Sequence, residues 1–124
     1  MENGRYGKAV LDELNPMHRE LRRAIPEVYK GFQALHGAAF SAGTLDVKTK
    51  ELIALAIAVV EHCDGCIASH AQGAARAGAT AQEAAEAIGV AILMNGGPAT
   101  IYGPRAFAAF NEFAPAAVPV GASA

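Results

Sequence analysis

Long runs of one charge, membrane-length apolar stretches and strand-like alternation are all missing from this sequence, which has only two cysteines. Charged residues make up 18% of the chain and the formal net charge is −2. Nucleic acids and anionic membranes therefore have no electrostatic basis as partners. The most apolar stretch, residues 52–60, lies between two glutamates and is too short to cross a bilayer. The expectation is an all-α protein with neither a nucleic-acid nor a membrane partner.

The scarcity of cysteine is informative because of where the two cysteines lie. The first residues, MENGRYGKAV, contain no signal-peptide hydrophobic region, which predicts a cytoplasmic location. Structural disulfides are rare in that compartment, so a CxxC pair is more typical of catalysis or metal binding there. With 124 residues, 52% of them hydrophobic, the chain is predicted to be a single domain (1–124) that buries one face against copies of itself.

Apolar residues recur at helical spacing along most of the chain. The N-terminal segment, residues 1–15, is predicted to hold a short helix that ends near Asn15 and Pro16, because proline lacks a backbone donor. Residues 115–124 are predicted to be a disordered tail. Further helices are predicted over residues 16–25, 27–40, 47–62, 64–77, 80–94 and 99–113.

Several predicted helix ends have specific residue signals. Gly43 is expected to end one helix in the left-handed conformation. Thr44 or Asp46 is expected to cap the next helix. Thr80 and Glu83 form a T-x-x-E capping box. A glycine–proline pair at residues 103–104 is expected to kink the last helix or split it.

The two cysteines and a histidine form the most specific pattern. Cys66 is predicted in the first turn of a helix, where free N–H groups and the helix dipole stabilise the reactive thiolate. His70 follows four residues later and lies over the same face, close enough to exchange a proton directly or through one water. Cys63, just before the helix, is placed to form a disulfide with Cys66 after oxidation.

Glu51 is the candidate third component, which would orient His70 and stabilise its protonated form. It lies about 18 Å before Cys63 along an ideal helix. In a simple antiparallel hairpin, His70 would face about Val59 instead. Contact between Glu51 and His70 therefore needs a steep helix crossing or a break near the dithiol. A solvated glutamate, or one paired with a neighbouring lysine, is the alternative.

Two other interpretations of the cysteines stay open. They can be inert packing residues, or they can bind zinc with His70 and either His62 or Glu51. Structural zinc sites usually draw ligands from two separated clusters, which favours a redox dithiol without metal. His18 and His36 are predicted to lie at the surface or the edge of the core rather than to act as ligands.

The pattern Glu51-x11-Cys63-x2-Cys66-x3-His70, with glycine-containing segments at 78–80 and 96–98, resembles the AhpD-like alkylhydroperoxidases of the carboxymuconolactone decarboxylase family. The similarity covers roughly residues 45–113. It implies an all-α fold that assembles into homotrimers or homohexamers. It also implies a peroxidase cycle, with Cys66 as the peroxidatic cysteine, Cys63 as the resolving cysteine, and Glu51 and His70 in the proton relay.

The same resemblance implies a hydroperoxide substrate, an external dithiol or thioredoxin-like reductant, and no cofactor. In the well-described peroxidases of the family a histidine precedes the second cysteine, where this chain has Gly65, and His62 is the candidate for that role. The alternatives are a non-redox, decarboxylase-like enzyme and a non-catalytic oligomeric or zinc-binding module. The intact CxxC favours the redox branch, since the decarboxylase branch does not depend on this dithiol.

Overall fold

The structure is a computed structural model that describes residues 5–114. Within this range the chain forms helices and no strand, which confirms the predicted all-α fold. The predicted tail and the first four residues lie outside the described range. The helices are α1 (Lys8–Ala24), α2 (Pro26–Phe40), α3 (Val47–Val60), α4 (Asp64–Arg76), α5 (Ala81–Asn95) and α6 (Gly97–Phe113).

Four helices, α3 to α6, surround the hydrophobic core: α3 and α6 each pack against α4 and α5, and they also contact each other. Most of the buried residues are alanines, whose small side chains let helix backbones approach closely. Among the largest fully buried side chains are Val59 in α3 and Ile67 in α4. These two residues flank the dithiol segment, so core packing fixes both helices that position it.

Helices α1 and α2 lie outside this four-helix core, and neither contains a buried residue. Helix α1 packs against α4. Its first N–H groups, on Gly7 and Lys8, donate to the Glu112 carboxylate of α6 at 3.1 and 3.0 Å. Because this acceptor satisfies donors that a helix start leaves free, it fixes α1 against the core.

The predicted helix caps are confirmed where the signal is local. The Asp46 carboxylate accepts the Thr49 N–H at 2.7 Å. Thr80 and Glu83 form the reciprocal capping box at the start of α5. Gly78 has a φ of +92° after α4, a backbone conformation that glycine adopts without steric cost.

Two predictions about breaks, at Pro16 and Gly43, are wrong, and of the two outcomes predicted for residues 103–104 the split does not occur. Helix α1 continues through Pro16, and α6 is one helix through Pro104. The carbonyls that lose their N–H partners belong to Asp12 and Thr100, both exposed, so solvent is available in place of the missing donor. Gly43 does not adopt a left-handed conformation, because α2 already ends at Ser41, with extended backbone.

Large apolar side chains are exposed on several helices of the single chain. Along α2, the exposed apolar side chains are Val28, Phe32 and Leu35. A groove of about 310 Å³ between α3 and α5 is lined only by apolar residues: Ile53, Ala56, Ile57, Val60, Val90, Ala91 and Met94. Helix α3 is therefore less enclosed than its sequence predicts. Within residues 5–114, no helix is long and apolar enough to span a membrane.

An ion pair joins α3 to α5, with Lys48 Nζ 2.9 Å from Oε2 of Glu83. The Thr80 N–H, with this lysine as a second cause, holds the pKa of Glu83 below its ordinary value of 4.5. A carboxyl with a lowered folded-state pKa stabilises the fold above its ordinary pKa, and this contribution is lost as the pH falls through the folded-state value. Acidification from pH 7 to pH 3 should therefore lower the free energy of unfolding.

We expect Glu83→Gln to lose less stability than wild type over this pH interval, because the glutamine has no proton to gain. Urea unfolding at pH 7 and pH 3 measures the difference. Glu86→Gln, on the same helix and hydrogen-bonded only to Gln82 among the contacts seen, is the matched control. Equal pH sensitivity of Glu83→Gln and wild type would contradict the assignment.

Candidate active site

A three-residue turn, 61–63, places the dithiol between α3 and α4. Within it, His62 has a φ of +56° and is the only described residue other than glycine with a positive φ. Cys63 then adopts extended backbone as the N-cap of α4, and its sulfur accepts the Cys66 N–H at 3.2 Å. The turn thus places both cysteines at the helix start, where free N–H groups favour negative charge on sulfur.

Cys63 and Cys66 form a disulfide, with their Cα atoms 5.2 Å apart. This separation is typical of a disulfide, and the structure is that of the oxidised site. Cys66 is exposed, whereas Cys63 is half-buried. This difference makes Cys66 the more accessible sulfur for a substrate from solvent.

The structure also brings Glu51 to His70, and Oε1 of the glutamate lies 2.8 Å from Nδ1 of the histidine. Their side chains are only 12% and 18% exposed, respectively. Because an ionised carboxylate can only accept, Nδ1 carries the proton in this contact. Nε2 of a neutral His70 is then left as the acceptor, on a side chain one helical turn beyond Cys66.

Gly73 explains how Glu51 reaches this histidine. A Cβ atom added to Gly73 would lie 2.2 Å from Oε2 of Glu51, so the carboxylate occupies the space that any side chain there would fill. Glu51 therefore lies across α4 three residues beyond His70 and contacts it despite the hairpin geometry. Sequence reasoning missed Gly73. The signal in the sequence was a glycine three residues after His70, on the same face of α4, which leaves room there for another side chain.

Helix α2 supplies two further aromatic rings to the site. The Phe40 ring stacks on the His70 ring, with centroids 5.3 Å apart and planes at 19°. The His36 ring lies nearly parallel to His70, at 6.2 Å and 10°. Phe40 is half-buried and His36 is exposed. Sequence reasoning assigned neither residue to the site, because the approach of α2 depends on tertiary packing.

His62 lies on the α6 side of the dithiol. Its ring stacks on Tyr102 at 4.5 Å, with the planes at 10°. The Arg105 guanidinium lies over the same tyrosine at 4.7 Å, and 3.8 Å from Oδ1 of Asp64. These contacts stabilise the left-handed residue beside Cys63 and place positive charge near the start of α4.

The zinc interpretation of the dithiol requires further ligands beside the two sulfurs. Between residues 5 and 114, no three histidine, cysteine or acidic side chains come together as a metal-binding group. The two sulfurs are bonded to each other, and Nδ1 of His70 is occupied by Glu51.

The fold and site together define a helical protein with a dithiol and an adjacent histidine–carboxylate pair. Residues 26–112 match the carboxymuconolactone decarboxylase family. The chain therefore belongs to this family, which confirms the resemblance seen in the sequence.

Similar proteins match this chain over most of their own length, and two of them have solved structures. A carboxymuconolactone decarboxylase family protein from Legionella pneumophila, solved in its apo form, is 40% identical with a TM-score of 0.83, covering 87% of this chain and 96% of its own. A Thermotoga maritima protein, TM1620, is 30% identical with a TM-score of 0.75, covering 85% and 92%. An uncharacterized Cupriavidus necator protein is 38% identical over 104 residues, which cover 84% of this chain and 92% of that protein.

Proposed function

We propose that this protein is a thiol-dependent peroxidase that reduces hydroperoxides through Cys63 and Cys66. The observation that carries the proposal is the disulfide between these cysteines at the start of α4, one turn before a histidine held by a half-buried carboxylate. Family membership is compatible with this activity. We also propose a cytoplasmic location, where dithiol reductants are abundant.

In the first step, the Cys66 thiolate attacks the O–O bond of a hydroperoxide. A sulfur–oxygen bond forms as the O–O bond breaks. Cys66 becomes a sulfenic acid, and the other peroxide oxygen leaves with its organic group as an alkoxide. His70, having taken the Cys66 proton on Nε2, returns it to the alkoxide to give an alcohol. Glu51 accepts from Nδ1 throughout and stabilises the transient imidazolium.

In the second step, the Cys63 thiol attacks the sulfur of the sulfenic acid. The disulfide forms and the sulfenic oxygen leaves as water. An external dithiol, or a thioredoxin-like protein, then reduces the disulfide by thiol exchange and restores both thiols. The exposure of Cys66 supports this exchange, because the reductant must reach a sulfur.

We also propose assembly into a homotrimer or homohexamer. The support is the amount of apolar surface that a single chain leaves exposed on α2 and in the α3–α5 groove. Monomers rarely expose contiguous surfaces of this kind. Light scattering of the purified protein measures the assembly, and a monomer at all concentrations would contradict it.

Counting thiols by mass spectrometry tests the proposed function directly. The reduced protein is treated with one equivalent of cumene hydroperoxide, and the remaining thiols are alkylated. We expect two alkylated cysteines before treatment and none after it, with one equivalent of alcohol formed and a Cys63–Cys66 peptide linkage recovered. Two alkylated cysteines after treatment would sink the proposal and favour a non-redox member of the family.

A further inference from the structure

Helix α2 is attached to the core close to His70, although it has no buried residue. The Lys50 ammonium donates to the carbonyl oxygens of Ala39 and Ser41, at 2.9 and 2.6 Å. These carbonyls lie at the C-terminal end of α2 and have no N–H partner within the helix, so a positive charge there is favourable. Lys50 and Glu51 are consecutive residues of α3, so the same turn of α3 holds the end of α2 and supplies the carboxylate of the site.

This attachment places three rings nearly parallel to one another. The His36 and Phe40 rings stack at 4.6 Å and 28°, and both lie near the ring of His70. The side-chain hydrogen bond that the described residues make to the His70 ring is the one with Glu51. Phe40 has no hydrogen-bonding group, and the His36 ring lies 6.2 Å from His70 between centroids, so neither ring of α2 competes with Glu51 for Nδ1.

We propose that His36 is a positioning residue for His70, acting through this stack. The rings of His36 and Phe40 restrict rotation of the His70 imidazole, which keeps Nδ1 on Glu51 and leaves Nε2 free for the Cys66 proton. The inference rests on the part of the proposed function in which His70 is the base for Cys66.

The stack also suits the charge that His70 acquires. The face of a phenylalanine ring attracts cations, so the Phe40 ring, 5.3 Å from His70, favours the imidazolium formed when Cys66 loses its proton. The charged or titratable groups around His70 are then His36 from α2, Glu51 and the more distant Lys50 from α3, and Cys66 from α4. A protonated His36 would oppose the imidazolium.

Two substitutions distinguish the effect of the ring at residue 36 from the effect of its titratable group. His36→Ala removes the ring, whereas His36→Phe keeps a ring that stacks and cannot take a proton. Because residue 36 is exposed on a helix without buried residues, both variants should fold, and thermal unfolding checks this. His18→Ala is the matched control, since His18 is also exposed but contacts Tyr29 instead of the site.

The measured quantity is the rate at which iodoacetamide alkylates reduced Cys66 across pH 5–9, in proteins that also carry Cys63→Ser. Misplacing a reacting group by about 1 Å can cost about 10²-fold, and a loosened ring should cost less. We expect His36→Ala to slow alkylation by about five- to tenfold at neutral pH. His36→Phe should return the rate to within about twofold of the parent and retain it to lower pH, and His18→Ala should match the parent.

A second measurement does not depend on thiol chemistry. Long-range ¹H–¹⁵N NMR reports which nitrogen of His70 carries the proton. We expect the Nδ1–H tautomer in wild type and His36→Phe, and a tautomer mixture in His36→Ala. Parent-like alkylation and tautomer in His36→Ala would overturn the proposal, as would equal slowing by Ala and Phe. Loss of peroxide reduction in wild type, with these contrasts intact, would overturn the proposed function alone.

Discussion

Cys66→Ser should abolish peroxide consumption, with a loss of more than about 10³-fold, because a serine hydroxyl is a far weaker nucleophile than a thiolate. Cys63→Ser should still react once with peroxide. Its Cys66 sulfenic acid would persist, since no second thiol is present to resolve it. A supplied dithiol would then sustain slow turnover by reducing the sulfenic acid directly. Peroxide consumption and trapping with a sulfenic-acid-selective diketone measure the two behaviours.

The structure contains one observation that favours each cysteine as the nucleophile, so the two variants distinguish their roles. Cys66 is the exposed cysteine and has His70 one turn away, which favours it as the nucleophile. The Cys63 sulfur, however, is the one that accepts a helix N–H, at 3.2 Å, and such a bond also stabilises a thiolate. Full peroxide reduction by Cys66→Ser, with none by Cys63→Ser, would reverse the two roles.

The parts of the site that sequence reasoning predicted are those set by local geometry. The spacing of Cys63, Cys66 and His70 determines their order on α4, because a helix start and an i,i+4 pair need no information from other helices. The capping box at Thr80 and Glu83 is local in the same sense. Contacts that depend on how helices cross were harder to predict, and the approach of Glu51 is the main example.

Gly65 stands where the well-described peroxidases of the family have a histidine, and the sequence did not reveal what covers it. A Cβ atom on Gly65 would lie 2.9 Å from Cδ1 of Leu14, so α1 covers this position of α4. The continuation of α1 through Pro16 was not predicted either, and it belongs to the same arrangement, since α1 packs along α4.

His62, the candidate for the role of the missing histidine, is held against Tyr102. His36 is the additional histidine that the structure places beside His70.

The second large effect is expected from Gly73→Ala, a substitution that changes no ionisable group. The new Cβ would lie 2.2 Å from Oε2 and 2.5 Å from Cδ of Glu51, so the carboxylate must leave its position. His70 would then lose the acceptor that fixes its tautomer and stabilises its charged form. We expect peroxide reduction to fall by about 10²-fold, the lower range for loss of general acid–base catalysis.

Stability should change much less than activity, because two effects oppose each other. Alanine in place of glycine favours a helix interior by about 0.5–1 kcal/mol, whereas displacement of Glu51 removes a partly buried hydrogen bond. Gly89→Ala in α5 is the matched control, since its Cβ would meet no atom within 4 Å. That variant should gain the helix stabilisation and keep full activity. Wild-type activity in Gly73→Ala would mean that the Glu51–His70 contact is dispensable, whereas loss of activity with an intact thermal transition would locate the defect in the proton relay.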